Sequence, residues 1–492
     1  MELALLLDPA DAARLPRLPN VKAARAGRSR GQAVRIVWHD SPDRVLASRG
    51  LALAEQRGIW RLERHRPAAT EPWPPATDHR LIREADGREA LGHALTAAGA
   101  LAEAQALPDA TTPVAAFDGR RTVFALAIDG EPVSMTLLNG VLRAVTAERP
   151  VTRLILEGPG TVVRTLMLSL ADALSLAIPE HGLAAEALWL ADGTPPMPRR
   201  RGAPALARDG LSVHAAFRHI IGHLTGVMLH LAPPVADVAS GPEPVHQMRV
   251  AVRRARSAFS LFPPVTDGAA QAAAEGLKRL GKMLGPARDW DVFMDETAPP
   301  VEAVLPGRIA SLLRAGTRRR HQARTALGHY LTSPAFRLLT LELAWLAAAD
   351  APEDTAGDLM VLPPLPEFAA GILQRRWKKL LNAGRALDDL DDPALHGLRL
   401  KAKRLRYAAE FFAPLSPEKP ASRFIRRLAV LQERLGLFND TTVAETLLRE
   451  LNGKPNHAAG LVLGFTAARG ERARSKIATA WARFRRRDPF WT

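Results

Sequence analysis

The chain has 492 residues, no cysteine and a formal net charge of +16. That length predicts two or three domains, and the missing cysteine excludes disulfides, thiolate metal sites and cysteine nucleophiles, as suits a reducing cytoplasm. Residues 201–492 hold 43 of the 67 Lys and Arg but only 28 of the 51 Asp and Glu, so nearly all the excess positive charge, and its pull on polyanions, belongs to the C-terminal part.

The opening MELALLLDPADAARLP lacks the basic start and long apolar core of a signal peptide. Runs of β-formers predict strands at 2–7, 33–39, 58–64, 121–128, 132–138, 141–146 and 151–157, with helices near 88–106 and 161–178. Such a mixture predicts an antiparallel sheet or barrel with a few helices. The most apolar stretch, 161–179, contains Arg164 and Asp172. It falls short of the roughly 18 uncharged apolar residues that a membrane span needs, so a buried helix and no membrane partner are expected. Residues 192–210, DGTPPMPRRRGAPALARDG, predict an exposed linker through their Pro, Gly and the run Arg199-Arg200-Arg201.

Beyond the linker the pattern turns helical. A weakly charged helix is expected at about 211–231, with His214, Arg218, His219 and His223. His219 and His223 have a spacing that a metal could use, yet no third ligand is near in sequence, so packing is expected instead.

Residues 245–262, VHQMRVAVRRARSAFSLF, recur at an offset of 150 as residues 395–412, LHGLRLKAKRLRYAAEFF. His246, Arg249, Arg253, Arg254 and Arg256 fall on His396, Arg399, Lys403, Arg404 and Arg406. Helical periodicity places His246, Arg249, Arg253 and Arg256 within roughly 80° of arc on one face, and their counterparts likewise. Met248, Val252 and Ala255, matched by Leu398, Ala402 and Leu405, take the opposite face. Cations in one stripe repel each other. The first copy has no acid within the stripe and the second only Glu410, so an anion from outside is expected. His246 and His396 follow Pro244 and Pro393 near helix starts, where a neutral capping or phosphate hydrogen-bonding role is expected.

A second shared pattern follows each basic helix. Leu284-Gly285 with Asp289 recurs as Leu435-Gly436 with Asp440. The glycines predict helix stops and the aspartates caps for the next helix, with orientation of a basic side chain as the other use of the aspartates. Arg314, Arg318, Arg319, Arg320 and Arg324 form another basic run. The acidic, Pro-rich segment 350–366 then separates the repeats, and a helix expected at 367–388 is crowded by Arg375, Arg376, Lys378 and Lys379.

The two blocks resemble the two halves of the conserved-histidine α-helical domain, CHAD. The resemblance covers residues 211–492, with a first repeat at 211–349 and a second at 366–492. It extends to the closing segment with Gly464, Trp481, Phe484 and Pro489-Phe490-Trp491. It implies an all-α domain of two bundles related by a pseudo-twofold axis, whose basic helices line a central channel that binds inorganic polyphosphate. Contacts are then expected from His246, Arg249, Arg253, Arg254, Arg256, Lys278, Lys282, Arg288 and Arg318 in the first repeat. The second repeat would add Arg375, Lys378, Lys379, His396, Arg399, Lys403, Arg404, Arg406 and Arg427.

Residues 1–191 resemble the CYTH or triphosphate-tunnel domain, an α+β antiparallel barrel-like fold. The segment HDSPDRVLASRGLAL at 39–53 is similar to that family's aspartate-threonine-proline region. The family's opening Glu-x-Glu-x-Lys strand is here Glu2, Ala4 and Leu6. Its paired-arginine strand reads Leu53-Ala54-Glu55, and its late glutamate strand, TRLILEG, keeps only Glu157. The missing acids are those that would hold Mg²⁺ against phosphate oxygens. The expectation is therefore a fold without triphosphatase activity, with no metal or other cofactor, in a multidomain cytoplasmic protein that binds inorganic polyphosphate and other polyanions and associates with polyphosphate granules. Triphosphate hydrolysis by the N-terminal domain and nucleic-acid binding are the alternatives. Against the second, Tyr407 is the only aromatic adjacent to the basic stripes.

Overall fold

The alternating apolar runs of the first 190 residues form one antiparallel sheet. In chain order the elements are β1 (Glu2–Leu7), short helices α1 (Pro9–Ala12) and α2 (Pro19–Ala23), β2 (Arg30–Asp40), α3 (Val45–Ser48), β3 (Leu51–Gln56), β4 (Ile59–Arg64) and β5 (Arg80–Asp86). Then come α4 (Arg88–Ala97), α5 (Leu101–Ala106), β6 (Thr112–Ile128), β7 (Glu131–Ala144), β8 (Glu148–Glu157), α6 (Gly160–Ala173), β9 (Leu176–Ala177) and α7 (Leu183–Asp192). The sheet order is β5-β4-β3-β2-β6-β7-β8-β1-β9. The chain is seen in a computed structural model that describes residues 1–66, 76–193, 202–207, 210–263, 268–349, 362–452, 456–486 and 488–491. The Ala4 N–H donates to the Ala76 carbonyl at 2.9 Å, so the segment leading into β5 returns to β1 and the sheet curls as the expected barrel-like fold requires.

The interior of that curl is filled. Register sets Ala4 opposite Ile155 and Leu6 opposite Arg153, and so puts both on the face that α7 covers. Leu183, Ala184, Ala187 and Leu188 of α7 pack with Trp38, Phe117, Leu138 and Leu142 of the sheet. Arg153, 1% exposed, pairs with Glu186 of α7 at 2.8 Å, as a buried cation must. Glu2 lies opposite Glu157. His79 contacts Asp78 (3.3 Å) and Glu63 (3.7 Å). Burial alone would lower the His79 pKa, but the Asp78 hydrogen bond and the Glu63 charge overcome it and push it up to about 9. The stability this cation contributes is full below the unfolded value near 6.5 and is lost as pH rises through about 9.

Several elements differ from the expectation. The strands expected at 132–138 and 141–146 are the single strand β7. The gap between those two expected strands falls at Asn139-Gly140, yet Gly140 pairs with Gly119 inside the ladder. A Cβ on Gly140 would lie 2.6 Å from the Gly119 Cα and 2.8 Å from Cζ of the buried Phe117 ring. The two glycines make room for that ring. The helix expected at 88–106 breaks into α4 and α5 around Gly99, whose φ of 75° only glycine adopts at little cost. Neither β5 nor α7 was anticipated.

The remaining chain is helical: α8 (Val213–Ala236), α9 (Glu243–Leu261), α10 (Gly268–Val292), α11 (Pro299–Val304), α12 (Ala310–Leu331), α13 (Pro334–Ala348), α14 (Leu365–Ala383), α15 (Asp392–Phe412), α16 (Glu418–Asn452) and α17 (His457–Arg485). Contacts divide the molecule into two units. Met1–Arg199 groups with Ile221–His230 and Arg337–Thr355, and Arg200–Ile220 groups with Leu231–Phe336 and Ala356–Thr492. In the second unit α9 packs on α10, α10 on α12, α14 on α15 and α15 on α16, and the two basic helices α9 and α15 pack on each other. Phe262 and its repeat mate Phe412 touch, with ring centroids 5.8 Å apart. Two equivalent residues can meet only near the axis that relates the halves.

Four expectations are corrected. Gly285 and Gly436 do not stop their helices, for α10 continues to Val292 and α16 to Asn452. A helix-interior glycine costs about 1 kcal/mol relative to alanine, and packing of a long helix outweighs that. Asp289 is not a cap, because it lies inside α10, 3.6 Å from Arg249. The side chain of Asp440 lies outside the described residues. Part of the linker expected to be exposed is not, since Leu206 is buried and the His219 ring meets the Ala205 carbonyl at 2.9 Å. Residues 194–201 and 208–209, and the break over 350–361, lie outside the described residues. The helix expected to reach 388 ends at Ala383, where the Trp481 ring leaves no room for a Cβ on Gly384.

Replacing Gly140 with Val should destabilise the protein by about 1–3 kcal/mol, the usual cost of forcing atoms into a filled site. Urea unfolding followed by circular dichroism measures it, and an unchanged midpoint would contradict the close approach of β6 and β7.

Candidate anion site on the repeated helices

The two basic helices form for the same reasons. Both are amphipathic, and each has a proline in its first turn, where a missing N–H does no harm. The Asp391 side chain caps α15 by accepting from the Ala394 N–H at 2.9 Å. The apolar stripes are buried as the spacing requires: Met248, Val252 and Ala255 on α9, and Leu398, Ala402 and Leu405 on α15. Burying those stripes back to back with α10, α14 and α16 fixes the opposite faces, and so brings the cations together.

Lys403 is the centre of the result. The guanidiniums of Arg253 and Arg249 from α9 and of Arg399 and Arg406 from α15 all act on it. Burial first, then these four cations, push the Lys403 ammonium down to about 7. Arg253, its repeat mate, is also lowered by burial and by Arg249, Arg406 and Arg254. Like Phe262 and Phe412, this equivalent pair lies near the axis. The Arg253 Nε and the Tyr407 hydroxyl are buried with no hydrogen-bond partner. The Arg406 guanidinium lies 5.7 Å from the centre of the Tyr407 ring.

Carboxylates hold the rim. Glu410 takes Arg254 at 2.8 Å and Arg406 at 3.4 Å, and so ties one repeat to the other. Asp289 stands 3.6 Å from Arg249. Burial raises its pKa against the pull of Arg249 and Arg288. Arg376 of α14 donates to the Arg404 carbonyl (2.8 Å) and to the Ser260 hydroxyl of α9 (2.9 Å). Burial, then Arg404 and Arg375, bring the Arg376 guanidinium down to about 10. Arg376 is therefore a cross-link between helices.

The family model of the CHAD domain matches residues 211–449. The solved CHAD domain of the plant Ricinus communis is 30% identical, with a TM-score of 0.52, over 59% of this chain and 98% of that one. The chain belongs to the CHAD family. Proteins from two strains of Mycobacterium tuberculosis, both uncharacterized, are 29% identical over 260 residues, covering 49% of this chain and 48% of each of them. The chain thus spans about half the length of these curated relatives. The CHAD domain is associated with polyphosphate. No described helix is long and apolar enough to cross a membrane.

Within the CHAD helices the structure brings together Arg249, Arg253, Arg254, Arg399, Lys403 and Arg406. Arg404 joins them through Arg376. His246 marks one end of α9. Burial, then Arg288, lower its pKa, which favours the neutral imidazole, and no side-chain hydrogen bond caps α9. Arg288 itself is held by Glu296 at 3.1 Å. Arg256 is exposed, with its guanidinium over Gly281 of α10. Lys278 is exposed and paired with Glu275 at 3.4 Å. Lys282, Arg375, Lys378, Lys379 and His396 are exposed, and Arg427 is half-buried on α16. Arg318 is exposed on α12. Its neighbours Arg320 and Arg324 in that basic run are held by Asp291, at 2.7 and 2.9 Å, and are structural. Among the described residues no group of three or more His, Asp and Glu is placed to hold a metal ion. Sequence reasoning left Arg376 and Tyr407 out of the site. A hydrogen bond to a backbone carbonyl leaves no sequence signal, and Tyr407 reads as part of the apolar face.

Two substitutions should move stability in opposite directions. Lys403→Met removes a half-buried cation from among four others, and a gain of about 1 kcal/mol would raise Tm by roughly 2–4 °C. Glu410→Gln strips a charge from Arg254 and Arg406 and should cost about 1–3 kcal/mol. Calorimetry of the two variants in low salt tests both signs.

Proposed function

We propose that the protein binds inorganic polyphosphate without turning it over, holding the polyanion along the cations of α9 and α15. One observation carries the reading: Lys403 is surrounded by Arg253, Arg399, Arg249 and Arg406, drawn from both repeats. Assembling such a cluster costs repulsion and desolvation, and a polyanion that replaces the lost water offsets both. Each charge-assisted contact to a phosphate oxygen contributes on the order of 1.5–3 kcal/mol. Rigid helices set these cations in a row, which suits a chain of phosphoryl groups better than a single small anion. Association with polyphosphate granules follows naturally from such binding.

Nucleic acid is less well matched. Single strands are held by aromatic platforms that stack on bases, whereas the aromatic at this site, Tyr407, is only 4% exposed. Triphosphate hydrolysis by the N-terminal sheet is disfavoured on packing. Ala4 and Leu6 share a face with Arg153, and that face is covered by α7. Ala4 and Leu6 offer no ligand, and the charged groups near them are already paired, Arg153 with Glu186 and His79 with Asp78 and Glu63.

The full-length protein should bind defined-length polyphosphate without added metal in calorimetric titration, with an affinity that falls steeply with salt. Reversing Arg253 and Arg256 together with Lys403 and Arg406 to glutamate should weaken binding at least 100-fold in a folded protein. Unchanged affinity would place the site elsewhere, and tighter binding of duplex DNA at physiological salt would favour the nucleic-acid reading. Release of phosphate from tripolyphosphate with Mg²⁺ or Mn²⁺ should stay at background. Turnover that chelation abolishes would make the N-terminal domain an enzyme.

A further inference from the structure

Two donors in the cluster, on residues that no described carboxylate engages, are unused. The Arg253 Nε and the Tyr407 hydroxyl are buried without a hydrogen-bond partner, and Tyr407 as a whole is only 4% exposed. Buried donors are normally paired, so donors of this kind call for a missing acceptor. Both belong to the surroundings of Arg253, whose charge is felt by Tyr407, Arg249, Arg406 and Arg254. Lys403 completes the group from the second repeat. Arg253 and Lys403 are repeat mates, so the group lies near the axis relating the two halves.

We infer that this group is a central subsite for one phosphoryl unit of the bound chain, with Arg253, Tyr407 and Lys403 as its donors, and that Lys403 takes up a proton from solvent as the subsite fills. The inference rests on the polyanion reading above and names where on the stripe one tetrahedral oxyanion is gripped.

The charges around Lys403 give the direction. From α9 come Arg249 and Arg253, and from α15 itself Arg399 and Arg406. The nearest acids are already engaged, Glu410 by Arg254 and Arg406 and Asp289 by Arg249. On the other helices packed against α15, α14 carries Arg376, held by the Arg404 carbonyl, and α16 carries the half-buried Arg427 and Arg434. In the empty site these surroundings favour the neutral amine, which titrates at about 7. An oxyanion placed among them reverses the balance and favours the ammonium. Above pH 7 loading must therefore draw in a proton, whereas well below it Lys403 is already charged and nothing is taken up.

Titration of the full chain with defined-length polyphosphate, in buffers of different ionisation enthalpy at pH 8, counts the protons. His246 can contribute on its own, so the count is read as a difference between variants. Wild type should take up about 0.9 proton more than Lys403→Arg, a variant that keeps a fixed cation and still binds. Equal uptake in the two proteins overturns the role of Lys403. If Lys403→Arg does not fold, the wild-type pH profile decides. Affinity should fall by up to roughly tenfold per unit between pH 7 and 9, and a flat profile overturns the inference. Tyr407→Phe should weaken binding about tenfold while the proton count stays as in wild type, and unchanged affinity removes Tyr407 from the subsite. Absence of any binding by wild type sinks the polyanion reading itself, a result distinct from binding without proton uptake.

Discussion

Repulsion among like charges, held in check by apolar burial, is the constraint on which the helical part depends. Two amphipathic helices bury their apolar stripes and in doing so force their cationic stripes side by side. Lys403 cannot retreat from Arg253, Arg399, Arg249 and Arg406, because Leu398, Ala402 and Leu405 on its own helix are locked into the core. A site of this kind is strained in charge when empty and relieved when filled. Binding and stability are thereby opposed, which is why Lys403→Met should weaken the first and improve the second.

The carboxylates show how far the fold tolerates that strain. Glu410 bridges Arg254 and Arg406 across the repeats, and Asp289 restrains Arg249. Both lie at the margins of the cluster. Neither is among the groups whose charge acts most on Lys403. The same logic separates Arg320 and Arg324 from the site. Sequence alone counts them as a basic run, but Asp291 pairs with both and Asp295 also takes Arg320, which turns them into a brace between α10 and α12.

What was legible in the sequence followed from periodicity. The duplicated stripe, its polar and apolar faces, and the separation of a sheet-forming first part from a helical second part all rest on spacings of two or 3.6 residues, which survive without knowledge of contacts. What failed rested on single-residue punctuation. Gly285 and Gly436 read as helix stops, and each is instead interior to a longer helix, although nothing lies within 4 Å of where a Gly436 Cβ would be. In the sheet, Phe117 lies against Gly119 and Gly140, so the strands expected at 132–138 and 141–146 run on as one. A glycine kept for close approach and a glycine kept for a turn look alike in one sequence. Arg376 was invisible as a cross-link because its partner, the Arg404 carbonyl, belongs to the backbone.

The repeats also differ where difference matters. At one equivalent position in the cluster, the first copy has Arg253 and the second has Lys403. A guanidinium stays charged at any physiological pH, whereas an ammonium loses its proton when it is buried among cations. Two arginines at that point would leave two fixed charges facing each other in the empty site. One arginine and one lysine leave a fixed charge and a removable one. On the proposed reading, the asymmetry lets the cluster lower its own repulsion when empty and restore the full charge when an anion arrives.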